Sequence, residues 1–262
     1  MSMLRIPLRG LICLDQAEST HMLLKSQEYA DLEPYTMVMA RRQTKGRGQR
    51  GNSWESEDGK NLTFSMKARP DWLHPSRQFA ISEATSIAIV TLLKEYGIAA
   101  SVKWPNDIYV GHRKICGILI DHSLQGMEIT GSVISAGLNV NQIRFLSDAP
   151  NPVSMLQLLP PGSPEIPIEK IARRAGELIC GMLEETVQPE NRMLLHRTFM
   201  AYLYRNDGRP HLWHDNRTDT DIIASIEDVA TDGTLLLHLS NGERRRYLFK
   251  EVTYTLPTPT GH

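Results

Sequence analysis

Apolar and polar positions follow two different periods along this chain, and the two periods predict both strands and helices. Short apolar runs predict strands over residues 36–41, 61–67 and 128–140. Between them, residues 77–96 place alanine, isoleucine and leucine at spacings of three and four, which predicts a helix with one apolar stripe. Such a stripe would cover one face of a sheet, so the first half of the chain is predicted to combine helix and sheet.

The second half of the chain begins with helical periodicity. A proline-rich segment, 150–167, is predicted to be a connection. Residues 168–185 and 190–204 then have the composition of two helices, and residues 206–210 are rich in turn formers. We therefore expect a first domain over residues 1–206.

Strand periodicity replaces helical periodicity from His211 onward. Short strands are predicted at residues 221–227, 234–239 and 244–249. The dipeptides Asp232-Gly233 and Asn241-Gly242 lie between them and favour β-hairpins. We expect a second, small β domain over residues 207–262.

A hairpin with many polar residues is predicted near the middle of the chain, in the stretch KWPNDIYVGHRKICGILID, residues 103–121. Residues 108–110 and 115–120 are predicted strands, and residues 111–113 carry turn chemistry. Core packing does not require the polar side chains on and between these strands, so they indicate a pocket that binds anions. These side chains are Lys103, Asn106, Asp107 and Lys114.

Lys114 begins the second strand of this hairpin. Its ammonium group can face a phosphate or carboxylate while its stem packs on apolar neighbours, although a lysine solvated at a strand end has the same sequence. Gly117, inside the same strand, indicates either a ligand close to the backbone or a simple bulge.

A glycine-rich basic segment, ARRQTKGRGQRGNSW at residues 40–54, is a second candidate for binding anions. Glycines allow tight turns with converging amide groups, and the cations supply charge. The residues concerned are Lys45, Gly46, Arg47, Gly48, Arg50 and Gly51. The segment is not a P-loop, because Asn52 follows Gly51 where that motif has lysine. Nor does it match a Rossmann fingerprint, because no acidic residue clearly ends a second strand about twenty residues later. A basic surface loop without a ligand is the alternative.

Taken together and in order, the motifs of this chain resemble those of the biotin protein ligases. They are GRGQRGNSW, NLTFSM, KWPND, RKICGILID and AGLNVN. The resemblance runs from about Asp15 to about Thr255 and covers the catalytic and C-terminal domains of that family. It implies an α+β fold, with a class II aminoacyl-tRNA synthetase-like mixed sheet and helices followed by a small SH3-like β-barrel.

The resemblance implies a two-step reaction that uses ATP and Mg²⁺. Biotin and ATP form biotinyl-5'-adenylate with loss of pyrophosphate, and a lysine of a biotin carboxyl carrier protein then takes the biotinyl group. Two anions meet in the first step, so cations have to offset carboxylate and triphosphate charge. By similarity, Arg47 and Lys114 are the catalytic candidates.

The resemblance also implies which residues bind biotin. They are Ser19, Thr20, His21, Gln43, Arg47, Gly48, Gln49, Trp54, Ser65, Lys114 and Gly117. Ser19 or Thr20 is equally suited to cap a helix that starts before Met22. Two positions depart from the family: His21 stands where many relatives have asparagine, and Gln49 stands where a repressor-type bacterial relative has arginine.

A second set of residues is implied to bind ATP. They are Arg47, Arg50, Asn106, Lys114 and Asn139. Asp107 either orients the incoming lysine or caps the turn after Asn106. The ligands of the metal cannot be read from residue spacing.

Composition and charge limit the classes of function. The chain has 262 residues, 41% of them apolar, which is enough for a substantial core, and a formal net charge of -1, which does not indicate a nucleic-acid partner. Cys13, Cys116 and Cys180 show no CxxC spacing and are expected to be reduced thiols. No apolar stretch is long enough for a membrane helix and no signal-peptide pattern is present, so a cytoplasmic location is expected.

Some expectations concern partners and alternative functions. About fifteen residues precede the family motifs, which is short of the roughly 50 residues of a small domain, so DNA binding is expected to be absent. A homodimer is left open by the sequence. A lipoate or octanoate transferase is the alternative among acyl transferases, and a noncatalytic biotin-binding module is the alternative from another class.

Overall fold

The computed structural model describes residues 5–48, 53–146 and 151–255 of the chain. These residues form two β-sheets with helices packed on the larger sheet. None of the helices in the described ranges combines the length and the hydrophobicity needed to span a membrane.

The larger sheet has seven strands in the order β1-β2-β3-β7-β6-β5-β4. The strands are β1 (Gly10–Ala17), β2 (Thr36–Gln43), β3 (Leu62–Ala68), β4 (Ser101–Lys103), β5 (Asp107–Val110), β6 (Arg113–Gln125) and β7 (Glu128–Leu138). The pair β1 and β2 is parallel and the other neighbours are antiparallel, so the sheet is mixed as predicted.

The helices are α1 (Thr20–Leu24), α2 (Phe79–Glu95), α3 (Met155–Leu158), α4 (Ile168–Glu185) and α5 (Pro189–Tyr202). Helices α2 and α4 pack on one face of this sheet, whereas α1 lies on the opposite face, where its side chains contact Ser65 and Ser135. The predicted helix at 77–96 is α2, but more than one stripe of it is buried, because α4 and α5 both pack against it. Helix α4 buries residues at spacings of three and four, including Ile171, Ala175 and Ile179, and exposes its charged side chains.

The smaller sheet is antiparallel and has five strands in the order β11-β10-β9-β8-β12. The strands are β8 (His211–Asp215), β9 (Thr220–Val229), β10 (Leu235–Leu239), β11 (Arg244–Tyr247) and β12 (Val252–Tyr254). Gly233 and Gly242 have φ angles of 90° and 88°, the left-handed conformation that the DG and NG turns require. The predicted fold class, a mixed sheet with helices followed by a small β unit, is confirmed.

Candidate active site

Three neighbouring strands present small residues on one face of the larger sheet. Ser65, Ser135 and Leu119 are aligned across β3, β7 and β6, and Gly137 is aligned with Gly117 across β7 and β6. Because side chains alternate along a strand, the residues between them point to the opposite face and enter the apolar core, where Phe64, Ala136 and Ile118 are buried. The face of the sheet opposite α2 and α4 therefore has a flat surface of glycine and serine, which we call the floor of the site.

The indole of Trp54 lies on this floor. A Cβ atom at Gly137 would come within 2.3 Å of Trp54 Cε2, and one at Gly117 would come within 3.1 Å of its Cζ3. Gly46 makes a similar close approach, because a Cβ atom there would lie 2.6 Å from the Trp54 carbonyl oxygen. These glycines are therefore needed to seat the tryptophan. The Trp54 Nε1 atom is buried without a hydrogen-bond partner in the described residues, so it is available to a ligand.

A cavity of about 630 Å³ opens next to this tryptophan and brings most of the predicted site residues together. Its lining includes Ser19, Thr20, His21, Gln43, Arg47, Gly48, Trp54, Asn106, Lys114, Gly117 and Asn139. The glycine-rich segment and the hairpin, 60 residues apart in sequence, thus share one cavity. Gln49 and Arg50 lie outside the described residues.

Lys114 faces into this cavity as an ion-paired side chain. Its Nζ atom lies 2.7 Å from Asp107 Oδ1 and 5.6 Å from the centre of the Trp54 ring, and its side chain is 24% exposed. Lys114 is therefore not a solvated lysine at a strand end. Asp107 begins β5, where its carboxylate holds the lysine amine inside the cavity.

A second lysine lines the same cavity. The Nζ atom of Lys103 lies 5.0 Å from the centre of the Tyr109 ring and 5.3 Å from that of Tyr254, which belongs to the smaller sheet. Burial lowers the pKa of Lys103, and the nearby Asp107 opposes this effect. Lys103 and Lys114 thus bring two positive charges close to the carboxylate of Asp107.

The segment that enters α1 forms a polar corner of the cavity. The backbone amide of Thr20 donates to Gln43 Oε1 at 2.7 Å, and the Thr20 hydroxyl lies 3.2 Å from the same oxygen. Ser19 occupies the N-cap position of α1, but its side chain makes no capping hydrogen bond, which leaves the hydroxyl available to the cavity. Ser65 lies behind this corner: it is fully buried and its Oγ atom lies 2.9 Å from Thr20 Oγ1.

His21 lies beside this corner and is buried. Its Nδ1 atom is 2.8 Å from Ser135 Oγ, and its Nε2 atom is 3.0 Å from Asp121 Oδ2. Burial lowers the pKa of His21, whereas the hydrogen bond with Asp121 opposes the change. Lys25 also binds Asp121, at 2.5 Å. Ser135 and Asp121 are not among the predicted site residues, although the alternation of polar and apolar residues in β7 places Ser135 on the floor.

The two predicted ATP-binding asparagines lie at the edge of the floor. Asn106 donates from Nδ2 to the carbonyl oxygen of Ile118 at 2.5 Å. Asn139 donates from Nδ2 to the carbonyl oxygen of Val153 at 3.1 Å, while its Oδ1 atom is buried and has no partner in the described residues. A ligand with a donor group can therefore satisfy Asn139.

Comparison with known proteins identifies one matching family and several related proteins. The model of the Biotin/lipoate A/B protein ligase family matches residues 13–141. The bifunctional ligase/repressor BirA of Bacillus subtilis is 36% identical over 109 residues, which cover 41% of this chain and 33% of that protein. The biotin–[acetyl-CoA-carboxylase] ligase of Paracoccus denitrificans is 29% identical over 109 residues, which cover 39% of this chain and 43% of that protein.

The aligned region is thus a third to two fifths of the length of the curated relatives. Among solved structures, the biotin protein ligase from Aquifex aeolicus in complex with biotin and ATP matches with a TM-score of 0.76. The match covers 94% of this chain and 98% of that chain at 21% identity, so it shows a shared fold.

Proposed function

Because the model of the Biotin/lipoate A/B protein ligase family matches residues 13–141, we propose that this chain is an ATP-dependent biotin–protein ligase. In the first step a carboxylate oxygen of biotin attacks the α-phosphorus of ATP, and pyrophosphate leaves. In the second step the amine of a carrier lysine attacks the acyl carbon of biotinyl-5'-adenylate, AMP leaves, and the amine loses a proton. The carrier is a biotin carboxyl carrier domain.

One observation carries this proposal: Arg47 and Lys114 line the same cavity. Attack of a carboxylate on a triphosphate brings two anions together, and preorganised cations lower the cost of that approach. The polar corner formed by Ser19, Thr20 and Gln43 lies in the same cavity and supplies neutral donors and acceptors. A ligand with one uncharged polar head and one carboxylate matches this distribution.

The proposed roles follow from these positions. Lys114 binds the biotin carboxylate and the α-phosphate, and Arg47 and Gly48 contact the adenylate. Trp54 packs against biotin and offers its unpartnered Nε1 atom, while Asn106 and Asn139 face the nucleotide. Residues 1–206 and 207–262 are proposed as the catalytic and C-terminal domains.

Asp107 has a specific place in the second step of the proposed reaction. Its carboxylate is 2.7 Å from Lys114 Nζ in a partly buried site. It can therefore accept a hydrogen bond from the incoming lysine ammonium and orient that amine toward the acyl carbon.

Magnesium fits this site as an ion that binds together with the nucleotide. Mg²⁺ is held by one or two carboxylates together with phosphate oxygens, and the described residues contain no group of three acidic, histidine or cysteine side chains that could hold it alone. Glu55 and Asp107 are the described carboxylate residues that line the cavity. The metal would supply charge neutralisation to the triphosphate when bound.

Isotope exchange between ATP and pyrophosphate tests the proposed function and separates it from its alternatives. We expect exchange with biotin and none with lipoate or octanoate, followed by transfer of labelled biotin to a carrier domain. Exchange supported by lipoate or octanoate would instead identify another acyl transferase. Stoichiometric biotin binding without exchange would identify a noncatalytic module.

We also propose a cytoplasmic location. The described structure has three free cysteines, of which Cys116 and Cys180 are buried. Unpaired, buried thiols are typical of reducing compartments, and the carrier proteins of the proposed reaction are found where ATP is supplied.

A further inference from the structure

A continuous series of hydrogen-bonded side chains connects an ionised carboxylate to the polar corner of the cavity. It begins at Asp121 on β6, whose Oδ2 atom is 3.0 Å from His21 Nε2, and it passes through His21 Nδ1 to Ser135 Oγ at 2.8 Å. It continues from Ser135 to Ser65 at 2.7 Å, from Ser65 to Thr20 at 2.9 Å and from Thr20 to Gln43 Oε1 at 3.2 Å. Each member of the series thus influences the proton arrangement of the next.

Proton counting shows what this arrangement requires of His21. Each hydroxyl has one proton to donate. In the arrangement in which Ser65 donates to Thr20, the short contact between Ser65 and Ser135 requires a proton from Ser135. Ser135 must then accept from His21 Nδ1, and ionised Asp121, which can only accept, takes a proton from Nε2. The series directed toward Gln43 therefore needs an imidazolium ring.

A neutral His21 reverses the series. The ring keeps its Nε2 proton on Asp121, so Nδ1 becomes an acceptor and takes the proton of Ser135. Ser65 then donates to Ser135, and Thr20 donates to Ser65. The Thr20 proton now points away from the cavity, and its oxygen presents only lone pairs to a ligand.

We propose that His21 is a positioning residue whose protonation sets whether Thr20 acts as a hydrogen-bond donor or only as an acceptor toward the substrate head. This inference rests on the proposed function, in which that head is the cyclic urea of biotin. A urea N–H group needs an acceptor, so neutral His21 favours binding. When His21 is protonated, the hydroxyl proton of Thr20 lies on the cavity side. There it takes the place from which the N–H group of the ligand would donate to Thr20.

The charged groups around His21 keep both states accessible. Asp121 on β6 attracts a proton to the ring, whereas Lys25 and Arg47 oppose protonation. The strands β3 and β7, which pack against the ring, contribute the uncharged hydroxyls of the series. Burial outweighs the carboxylate and lowers the pKa of His21, so the ring is neutral at pH 7 and takes up a proton as the pH falls.

Calorimetric titration of the full chain with biotin tests the inference. Measured from about pH 8.5 down to a pH below the pKa of His21, the Kd should rise about fivefold, the effect expected of one hydrogen bond. The carboxylate of biotin stays ionised over most of this range. We expect His21→Asn, which cannot titrate, to bind biotin with a Kd that does not change with pH.

His122→Asn is the matched control. His122 follows Asp121 on β6 and is half-buried. Its Nδ1 atom lies 2.8 Å from Oγ of Ser132, a serine of β7. It does not line the cavity, so its variant should keep the wild-type pH dependence. Equal loss of pH dependence in both variants would overturn the inference.

Nuclear magnetic resonance of labelled histidine provides a readout that a purely structural role would not change. Saturation with biotin should lower the pKa of His21 by an amount that matches the measured change in affinity, because the two equilibria are linked. Asp121→Asn removes the carboxylate that favours the protonated ring. The pH at which the Kd for biotin changes should therefore move to a lower value.

The possible outcomes separate this inference from the proposed function. A pH-independent Kd of the wild-type chain, or tighter binding at low pH, would overturn the role of His21 and leave the ligase proposal standing. Absence of biotin binding at every pH would overturn the proposed function, and this inference with it.

Discussion

At the scale of single residues, the ion pair between Lys114 and Asp107 shows how the site keeps a cation ready for two anions. The Lys114 side chain is three-quarters covered, and its carboxylate partner is equally covered. Partly buried charge is stronger toward a ligand than the same charge in water, because the local dielectric is lower. The aspartate holds the amine in position before the substrates arrive, which reduces the reorganisation needed during the reaction.

Replacing Lys114 by alanine tests this role. Loss of a preorganised charge typically costs about 3 to 4 kcal/mol of transition-state stabilisation, so adenylate formation should fall by about a few hundredfold or more. Pyrophosphate release in single turnovers measures this rate. Thermal unfolding should change little, because Asp107 stays accessible to water and cation partners.

Lys45→Ala is a suitable control for the loss of a positive charge. Lys45 belongs to the glycine-rich segment, but it pairs with Glu18 at 2.9 Å in an exposed position and does not line the cavity. Its variant should keep adenylate formation within about twofold of the wild type, as expected for an exposed ion pair. A Lys114→Ala enzyme as active as Lys45→Ala would remove Lys114 from the proposed role.

The sequence predicted the residues that share this cavity more completely than the contacts between them. The motif resemblance supplied many polar residues of the lining, including Arg47, Lys114 and Gln43. The connection from His21 to Asp121 joins residues 100 positions apart and depends on the pairing of β6 with β7, which no local pattern specifies. The departure at His21 was visible in the sequence, but its partners Ser135 and Asp121 were not.

At the scale of secondary-structure elements, β7 and β6 form the floor of the site. Side chains alternate between the two faces of these strands, and glycine occupies positions on one face. The face that contacts the helices is continuous and apolar, whereas Gly117 and Gly137 on the other face leave room for Trp54. The register shift between β5 and β6 lies at Ile108 and Tyr109 and not at Gly117, so Gly117 is explained by close approach and not by a bulge.

Gly137→Ala should therefore displace Trp54 without unfolding the sheet. The added Cβ atom would lie 2.3 Å from the indole, and a side chain can move away from it where a backbone could not. We expect biotin affinity to fall by about tenfold or more, because displacing one buried aromatic contact costs about 1.5 kcal/mol. Calorimetric titration measures the affinity.

Gly131→Ala on the same strand is the matched control for this prediction. The nearest atom to its added Cβ is the carbonyl oxygen of Ala68 at 4.0 Å, an ordinary contact. Both variants exchange glycine for alanine in β7, so both change the strand propensity alike. Equal biotin affinities of the two variants would show that the position of the Trp54 side chain does not depend on Gly137.

The long helices and the central strands of the larger sheet were predictable from their patterns, whereas the edge strands of that sheet and the short helix α3 within the predicted connection 150–167 were not. Helix α4 begins and ends at the predicted residues 168 and 185, because its apolar spacing is regular over five turns. The strand β1 is an edge strand with mixed exposure, and β4 has three residues, so neither has enough periodic positions to be recognised. Their place is fixed by pairing with β2 and β5.

At the scale of the whole molecule, the smaller sheet contributes to the cavity and is held against the larger unit by polar and aromatic contacts. Phe249 lines the cavity and packs edge-on against Trp104 at 6.3 Å between ring centres. The Nε1 atom of Trp104 donates to the carbonyl oxygen of Gly233, a turn residue of the smaller sheet, at 2.9 Å. Changes at this junction are therefore expected to reach the proposed substrate site.

The junction also contains an ionic link that joins two helices to the smaller sheet. His196 on α5 contacts Glu83 of α2 at 2.7 Å through Nδ1 and Asp228 of β9 at 2.9 Å through Nε2. The hydrogen bond with Glu83, assisted by Asp228, raises the pKa of His196 to about 9 despite its burial. Two carboxylates thus hold the ring in its charged form at neutral pH.

This link predicts a loss of stability at alkaline pH. The folded-state pKa of His196 is about 9 and the unfolded value is near 6.5, so the folded chain binds the proton more tightly. The stabilisation is fully present below about pH 6.5 and is lost as the pH rises through about 9. Allowing for the partial exposure of the ring, the free energy of unfolding should fall by about 2 kcal/mol across this window.

Urea denaturation at a series of pH values measures this loss, and His196→Asn should remove it. Asparagine can still donate one hydrogen bond, but it has no charge to lose, so its unfolding free energy should be lower at pH 6.5 and nearly constant up to about pH 9. His238→Asn, at an exposed position of β10, should retain the wild-type slope. A wild-type chain whose stability does not fall over this interval would show that the charged ring does not hold the smaller sheet to the helices.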